Sequence, residues 1–145
     1  MAYWLMKSEP DVFGWDQLVA DGVGKWDGVR NYQARNNLAA MRVGDEAFFY
    51  HSNIGKAVVG ICRIIRAAYP DDTFTPPAGK PIHGPNPWVR VDVVPVKPFA
   101  TPVTLDAVKA NPHLSAMALV KATRLSVQPV TAAEWQRICT MGGVA

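Results

Sequence analysis

The chain has 145 residues, of which 49% are hydrophobic and 19% are charged. This balance is typical of one globular domain with one core, and it excludes a disordered chain. The net charge of +3 permits a polyanionic partner without requiring one, so the placement of the basic residues matters more than their number.

The sequence favours a protein without a membrane segment, metal or cofactor. No apolar run approaches the roughly 18 residues that span a bilayer, and the N-terminal sequence MAYWLMKSEP lacks the pattern of a signal peptide. Cys62 and Cys139 fall in different predicted elements, and we expect buried free thiols in a reducing cytosol. The absence of CxxC, HExxH and histidine clusters gives no reason to expect a metal.

The first predicted elements are a strand and two helices. YWLM at 3–6 is a short apolar run typical of a buried strand. FGWDQLVADG at 13–22 predicts a helix with Gly14 as a possible N-cap and Gly22 at its end, and NYQARNNLAAM at 31–41 predicts a second helix with Asn31 as N-cap. The inward stripe of the second helix consists of Ala34, Leu38 and Met41.

Three strand-like segments come next. EAFFYHS at 46–52 and KAVVGICRIIRA at 56–67 flank a turn at 53–55, so we expect a hairpin. WVRVDVVPV at 88–96 alternates apolar and polar residues like a half-buried strand. The intervening segment 69–87 is rich in Pro, Gly and Asp and predicts a long surface loop.

The C-terminal part adds a helix from Thr104 to Ala110, one more turn at 114–117 and a last strand at 124–130. Helices lie at both ends of a block of strands, without regular βαβ alternation. The sequence therefore predicts an α+β fold with a small, mostly antiparallel, curved sheet or barrel. With no internal repeat or linker, residues 1–145 are expected to form one domain.

The final helix has the clearest boundary signals in the chain. Thr131 and Glu134 have the spacing of a capping box, and Gly142 suits the C′ position. We expect this helix to pack on the sheet through Trp135, Ile138 and Cys139.

The stretch WDGVRNYQARNN at 26–37 combines aromatic rings with arginine and amide side chains. A nucleobase is recognised by rings against its face and by planar hydrogen-bonding groups along its edge. Asp27-Gly28 permits a tight turn that would leave the Trp26 indole projecting. An alternative remains open, in which Trp26 and Tyr32 pack a helix N-terminus while the amides cap it.

A catalytic alternative is weaker. Ser8 and Glu9 follow the first strand, and His51 and Ser52 end another, so a Ser–His pair is conceivable. No GxSxG motif surrounds either serine, and a histidine at a strand end also serves to hydrogen-bond the backbone. No P-loop or dinucleotide fingerprint is present.

Several longer motifs occur in an order that resembles one family. They are MKSEP, WDGVRNYQARNNLAAMRVGDEAFFYHS, VVGI, YPD, WVRVD and RLSVQPV, and together they extend from about Tyr3 to Ile138. The chain resembles the EVE domain family, which has a PUA-like fold related to YTH domains. The resemblance implies a curved, mostly antiparallel β-barrel flanked by helices, and one EVE domain over residues 1–145.

The resemblance also implies a non-enzymatic module that holds a flipped, modified base. The base is 5-methylcytosine-like or 5-hydroxymethylcytosine-like in DNA, or a modified base in RNA. The ligand-binding positions implied by motif match are Lys7, Ser8, Glu9, Trp26, Gly28, Val29, Arg30, Asn31, Tyr32, Tyr50, His51, Ser52, Arg124 and Ser126. Phosphates are expected at Lys7, Arg30 and Arg35.

The expected partner is therefore DNA or RNA that carries a modified base, and the protein is expected to be a monomer. A cytoplasmic location is expected for a bacterial chain and a nuclear one for a eukaryotic chain. Two other function classes stay open. One is a nucleoside-like small-molecule site or enzyme around Ser8 and His51, and the other is an interaction module that docks a protein through loop 71–87.

Overall fold

A computed structural model describes residues 1–74 and 86–144 of the protein. Its strands are β1 (Tyr3–Ser8), β2 (Gly24–Trp26), β3 (Glu46–His51), β4 (Ala57–Pro70), β5 (Val89–Thr104) and β6 (Val127–Val130). Its α-helices are α1 (Pro10–Phe13), α2 (Trp15–Asp21), α3 (Tyr32–Ala40), α4 (Leu105–Ala110), α5 (Ala118–Lys121) and α6 (Ala132–Met141). A single 3₁₀ turn at Pro112–Leu114 precedes α5.

The strands form one six-stranded sheet in the order β2-β5-β4-β3-β1-β6. Only β1 and β3 are parallel, and the other neighbours are antiparallel. The predicted α+β class and the β3–β4 hairpin are confirmed. Register shifts in the β3–β4 and β4–β5 pairs bend the sheet, because extra residues on one strand increase local twist. The sheet is curved but does not close into a barrel, since β2 and β6 form its two edges.

Each face of the sheet carries its own hydrophobic cluster, so the single core expected from chain length is split in two. Alternation along β1 shows this directly, because Trp4 and Met6 belong to one cluster and Leu5 to the other. Helix α3 covers the first face through Ala34 and Leu38. Helices α4, α5 and α6 cover the second.

The predicted first helix is confirmed as α2, which has Gly14 as its N-cap and Gly22 as its C-cap. The short helix α1 before it was not predicted, and neither was strand β2. Strand β2 has three residues, too few for a period of two to be visible in the sequence. The predicted capping role of Asn31 is confirmed, since its Oδ1 accepts a hydrogen bond from the Ala34 N–H at 2.9 Å.

Strand lengths also differ from expectation. Strand β5 continues beyond the predicted end at residue 96 to Thr104, and it accommodates three prolines at or near its register shifts with β4. The predicted strand 124–130 begins only at Val127. Asp71 is fully buried, so the prediction of a surface loop is wrong at that residue. Residues 75–85 of that loop, which include His83, lie outside the described residues.

The capping box of α6 is confirmed. The Thr131 Oγ1 accepts a hydrogen bond from the Glu134 N–H at 3.1 Å, and Glu134 Oε1 accepts from the Thr131 N–H at 2.9 Å. The predicted C′ role of Gly142 is wrong, because Gly142 has a right-handed φ of −85° and Gly143 has the positive φ of 73°. Gly142 is needed for space instead, since a Cβ there would meet the Phe99 ring.

The predicted contacts of α6 are also confirmed, because Trp135, Ile138 and Cys139 are buried in the second cluster. The Trp135 ring stacks on Phe48 with centroids 3.9 Å apart. Cys62 and Cys139 are buried free thiols, as predicted. Within residues 1–74 and 86–144, no helix combines the length and apolar character needed to cross a bilayer.

We expect Thr131→Ala to lower the free energy of unfolding by about 1 kcal/mol, because the first turn of α6 loses its cap. Urea denaturation measures this loss. Thr140→Ala on the same helix is the matched control, since the Thr140 hydroxyl donates only to the Gln136 carbonyl and caps nothing. Equal losses in the two variants would contradict the assigned capping role.

Candidate functional site

A cavity of about 450 Å³ opens where β1, α1 and the segment after β2 meet. We call it the Trp26 cavity. Seven of the predicted ligand-binding residues line it, namely Lys7, Ser8, Trp26, Gly28, Val29, Arg30 and Ser126. Four residues that the sequence analysis missed complete the lining, namely Val12, Phe13, Lys25 and Asp27.

Trp26 is both a core residue and a cavity wall. Its side chain is only 6% exposed, so the indole does not project as the Asp27-Gly28 turn had suggested. It packs nearly perpendicular to Phe49 and to Phe13, at centroid distances of 5.3 and 6.0 Å. Because the Phe13 and Trp26 rings are inclined at 75°, they cannot lie parallel on opposite faces of one flat ligand.

The tight turn after Trp26 is held by Asp71. Gly28 has the predicted positive φ, at 78°, and its N–H donates to Asp71 Oδ2 at 2.9 Å. Arg30 Nη1 donates to the same oxygen at 2.9 Å, and the Thr73 N–H donates to Oδ1 at 2.9 Å. Burial acts to raise the pKa of Asp71, but hydrogen bonds from Thr73, Arg30 and Gly28 outweigh it and hold that pKa well below its usual range.

Both arginines predicted to contact phosphates already have partners within the protein. The Arg30 guanidinium is paired with Asp71 and lies 5.6 Å from the centroid of Trp88. Arg35 donates to the Pro87 carbonyl at 3.0 Å and lies 5.2 Å from the centroid of Tyr32. Arg30 lines the cavity and Arg35 does not. A phosphate contact from either arginine stays a prediction.

Lys7 and Ser8 form the β1 side of the cavity. The Ser8 hydroxyl donates to the Phe13 carbonyl at 2.6 Å, so its oxygen is left as an acceptor. Lys7 Nζ donates to the Thr123 carbonyl at 2.8 Å, which uses one of its three donors. Burial lowers the pKa of Lys7. The Lys7 N–H donates to the Ser126 carbonyl at 2.9 Å and brings the residue before β6 to the cavity rim.

His51 does not reach the Trp26 cavity. Its Nε2 accepts a hydrogen bond from the Trp15 N–H at 3.1 Å, which requires an unprotonated nitrogen. Burial lowers the pKa of His51, and the opposing effect of Asp16 is smaller. Ser8 and His51 are thus engaged by separate backbone groups rather than by each other, as in the alternative of a strand-end histidine bonded to the backbone.

The remaining predicted residues are not brought into this cavity. Tyr50 and Ser52 line a second cavity on the other side of Lys7. Asn31 and Arg124 line a separate shallow depression. The other two lie outside these cavities: Glu9 accepts a hydrogen bond from Asn53 at 2.7 Å, and Tyr32, 58% exposed, lies against Trp88.

The site residues that the sequence analysis missed differ in how far a local sequence pattern could have predicted them. Phe13 and Val12 directly follow the MKSEP motif, and their nearness to Ser8 was a usable local signal. Asp71 lies 43 residues from Gly28, and no local pattern reveals their hydrogen bond. In the part of the chain that the structure describes, no group of three or more metal-binding side chains occurs.

Known proteins resemble this chain closely. The model of the EVE domain matches residues 2–141. Mouse thymocyte nuclear protein 1 is 39% identical over 165 residues, which cover 96% of this chain and 73% of that protein. An NMR structure from Rhodopseudomonas palustris is 56% identical with a TM-score of 0.87, covering 99% of this chain and 94% of that one. Human THYN1 in complex with 5-methylcytosine-containing DNA is 35% identical with a TM-score of 0.87, covering 98% of both chains.

We expect Asp71→Asn to lower the free energy of unfolding at pH 7 by about 1–3 kcal/mol, because charged hydrogen bonds to Arg30 and Gly28 are weakened. The folded pKa is depressed, so the contribution of the carboxylate is present above the ordinary pKa of 3.8 and is lost as pH falls below it. Urea titrations should show that the difference in free energy of unfolding between wild type and variant becomes smaller as the pH falls below 3.8.

Asp72→Asn is the control, since Asp72 is 79% exposed and pairs with Arg90 at the surface. It should change stability little. If the free energies of unfolding of Asp71→Asn and wild type differ by a constant amount from pH 7 to about pH 2.5, the carboxylate charge does not stabilise the turn.

Proposed function

The chain belongs to the EVE domain family, and from that premise we propose that it binds nucleic acid carrying a modified base, which is flipped into the Trp26 cavity. The observation that carries the proposal is the cavity itself. It joins an aromatic wall to hydrogen-bonding groups at the position of the family motifs. The human relative bound to 5-methylcytosine-containing DNA supports the same ligand class for this chain.

The face of the base is held by aromatic contact. Extruding a base costs a few kcal/mol, and stacking on one ring contributes about 1–3 kcal/mol. Because Phe13 and Trp26 are inclined at 75°, only one of them stacks on the base, and the other supplies an edge contact. The fixed Trp26, packed against Phe49, needs little further ordering when the base arrives.

The edge of the base is read by polar groups at the rim of the cavity. The Ser8 oxygen is an acceptor, because its proton is donated to the Phe13 carbonyl, and it suits an exocyclic amino group such as that of cytosine. The half-buried Ser126 and the backbone around Gly28 supply further hydrogen-bonding groups. Asn31, another predicted ligand-binding residue, has no part in this arrangement, because it lies outside the cavity and its Oδ1 is used by the helix cap.

The modification is recognised by apolar contact. Val12, Phe13 and Val29 line the cavity beside the polar rim. A methyl group in such surroundings contributes about 1–3 kcal/mol of discrimination. A hydroxymethyl group needs a hydrogen-bond partner as well, which Asp27 or Ser126 offers from the same lining.

A free nucleoside-like ligand is the second candidate, because a cavity of about 450 Å³ is the size of an ordinary small-molecule site. Turnover by a Ser8–His51 pair is not supported, since each side chain is engaged by the backbone. The proposal is accordingly one of binding without chemistry.

The salt dependence of binding separates nucleic acid from free nucleoside. For duplex DNA we expect log K to fall with log salt by about 0.9 for each phosphate contacted, measured by fluorescence anisotropy with an oligonucleotide containing 5-methylcytosine. Free 5-methyl-2′-deoxycytidine should show almost no slope in calorimetry. Tight nucleoside binding combined with weak, salt-insensitive DNA binding would favour the second candidate.

We expect Ser126→Tyr to weaken binding of the 5-methylcytosine oligonucleotide by at least about tenfold, or about 1.4 kcal/mol, because the added ring fills the cavity. Ser126 is preferable to Trp26 as a probe, since truncating the buried indole would disturb core and cavity together.

Ser115→Tyr makes the same change at an exposed site outside the cavity, where Ser115 donates to the Pro112 carbonyl. It should bind like wild type. Unchanged binding by a folded Ser126→Tyr protein, checked by its thermal unfolding, would place the base elsewhere.

A further inference from the structure

We propose that the second cavity, on the other side of Lys7, binds a backbone phosphate of the nucleic acid whose modified base occupies the Trp26 cavity. The inference rests on the proposed function for the source of that phosphate. This cavity, here the lysine cavity, measures about 310 Å³ and is lined in part by Lys7, Lys56 and Lys109. Neither Arg30 nor Arg35 lines it.

The fold brings these lysines together from three distant parts of the chain. Lys7 lies on β1, Lys56 precedes β4, and Lys109 lies on α4. The Leu105 N–H donates to the Lys56 carbonyl at 2.9 Å, which ties the start of α4 to the β3–β4 turn. Lys109 lies four residues after Leu105, one turn along the same helix. The three lysines therefore line one cavity whose position is fixed by secondary structure.

The charge of the lysine cavity is not neutralised from within. None of the described residues that line it carries a carboxylate. Two acidic residues lie close to its rim, namely Glu9, which accepts a hydrogen bond from Asn53, and Asp106, which lines an adjoining surface depression. In the Trp26 cavity, by contrast, Asp27 lines the wall and the buried Asp71 pairs with Arg30. The lysine cavity is therefore the one of the two cavities with positive charge that is not neutralised by a carboxylate among the described residues of its lining.

Lys7 is the link between the two cavities, because it lines both. Its Nζ gives one hydrogen bond to the Thr123 carbonyl and keeps two donors for a ligand. Burial lowers the pKa of Lys7, and a neighbouring anion would oppose this by favouring the protonated form.

Neutral donors complete the site. The buried Tyr50 and the half-buried Ser52 line the same cavity, and hydroxyl groups are common partners of phosphate oxygens. A phosphate held by Lys7 and Tyr50 would lie next to the base pocket, as expected for the linkage of the flipped nucleotide or its neighbour. Contacts of this kind position the strand and carry no sequence information.

The test uses Lys56→Gln/Lys109→Gln in the intact chain, since both lysines are exposed and their loss should not affect folding. The control is Lys97→Gln/Arg137→Gln, which removes the same charge from exposed positions outside the lysine cavity. For a 5-methylcytosine duplex we expect the first variant alone to reduce the salt slope by about 0.9 and the affinity roughly fivefold at 0.15 M salt. If the two variants lose the same amount of salt slope and of affinity, the inference is overturned.

A second arm identifies the phosphate. Uncharged methylphosphonate linkages on either side of the 5-methylcytosine should weaken binding to wild type roughly fivefold and add nothing to the loss in the double variant. Full additivity of the two losses would mean that the lysines do not contact those phosphates, and would overturn the inference while the proposed function stands.

A third arm separates failure of the site from failure of the proposed function. Inorganic phosphate is titrated into the wild type and the double variant, and the NMR shifts of the Ser52 and Asn53 amides, which belong to the lining in both proteins, are followed. Shifts confined to wild type support the anion site even if no oligonucleotide binds, in which case only the proposed function fails. Absence of both shifts and oligonucleotide binding overturns both.

Discussion

The buried carboxylate of Asp71 determines the shape of the candidate site. Its Oδ2 accepts hydrogen bonds from the Gly28 N–H and the Arg30 guanidinium, and its Oδ1 accepts one from the Thr73 N–H. These bonds attach the segment after β2 to the end of β4 across more than forty residues. Without them, neither the positive φ at Gly28 nor the place of Arg30 in the cavity wall would be fixed.

The same carboxylate decides where positive charge is available to a ligand. A buried anion satisfied by Arg30 leaves little of that guanidinium for an external phosphate. Arg35 is similarly occupied by the Pro87 carbonyl. These two arginines thus hydrogen-bond to groups of the site itself. The lysines on β1, α4 and the β3–β4 turn, which no sequence motif groups together, line the lysine cavity.

Local signals in the sequence predicted local structure well. The capping box at Thr131 and the cap at Asn31 were visible because each is formed by residues three positions apart. Seven of the predicted site residues share one cavity because they belong to motifs that the fold brings together as a group. The start of α2 after Gly14 was also visible, whereas the short helix α1 was hidden, since four residues are too few to show a helical period.

Contacts between residues far apart in the sequence could not be predicted from local patterns. Asp71 looks like an ordinary loop residue until Gly28 and Arg30 are placed beside it. The polar stretch around Trp26 had suggested an exposed ring, but pairing of β2 with β5 sets Trp26 opposite Val91 and buries it. Whether a residue is buried is decided by its neighbours in space, so composition left both readings of Trp26 open, and the structure combines them.

The two edges of the sheet have a consequence for self-association. Strand β2 is three residues long, and β6 is four residues long and contains Pro129, which lacks an N–H. Short edges and proline are the features by which β-proteins resist the addition of a strand from another molecule. Both edge strands therefore offer few unpaired N–H groups to a strand from another copy of the chain.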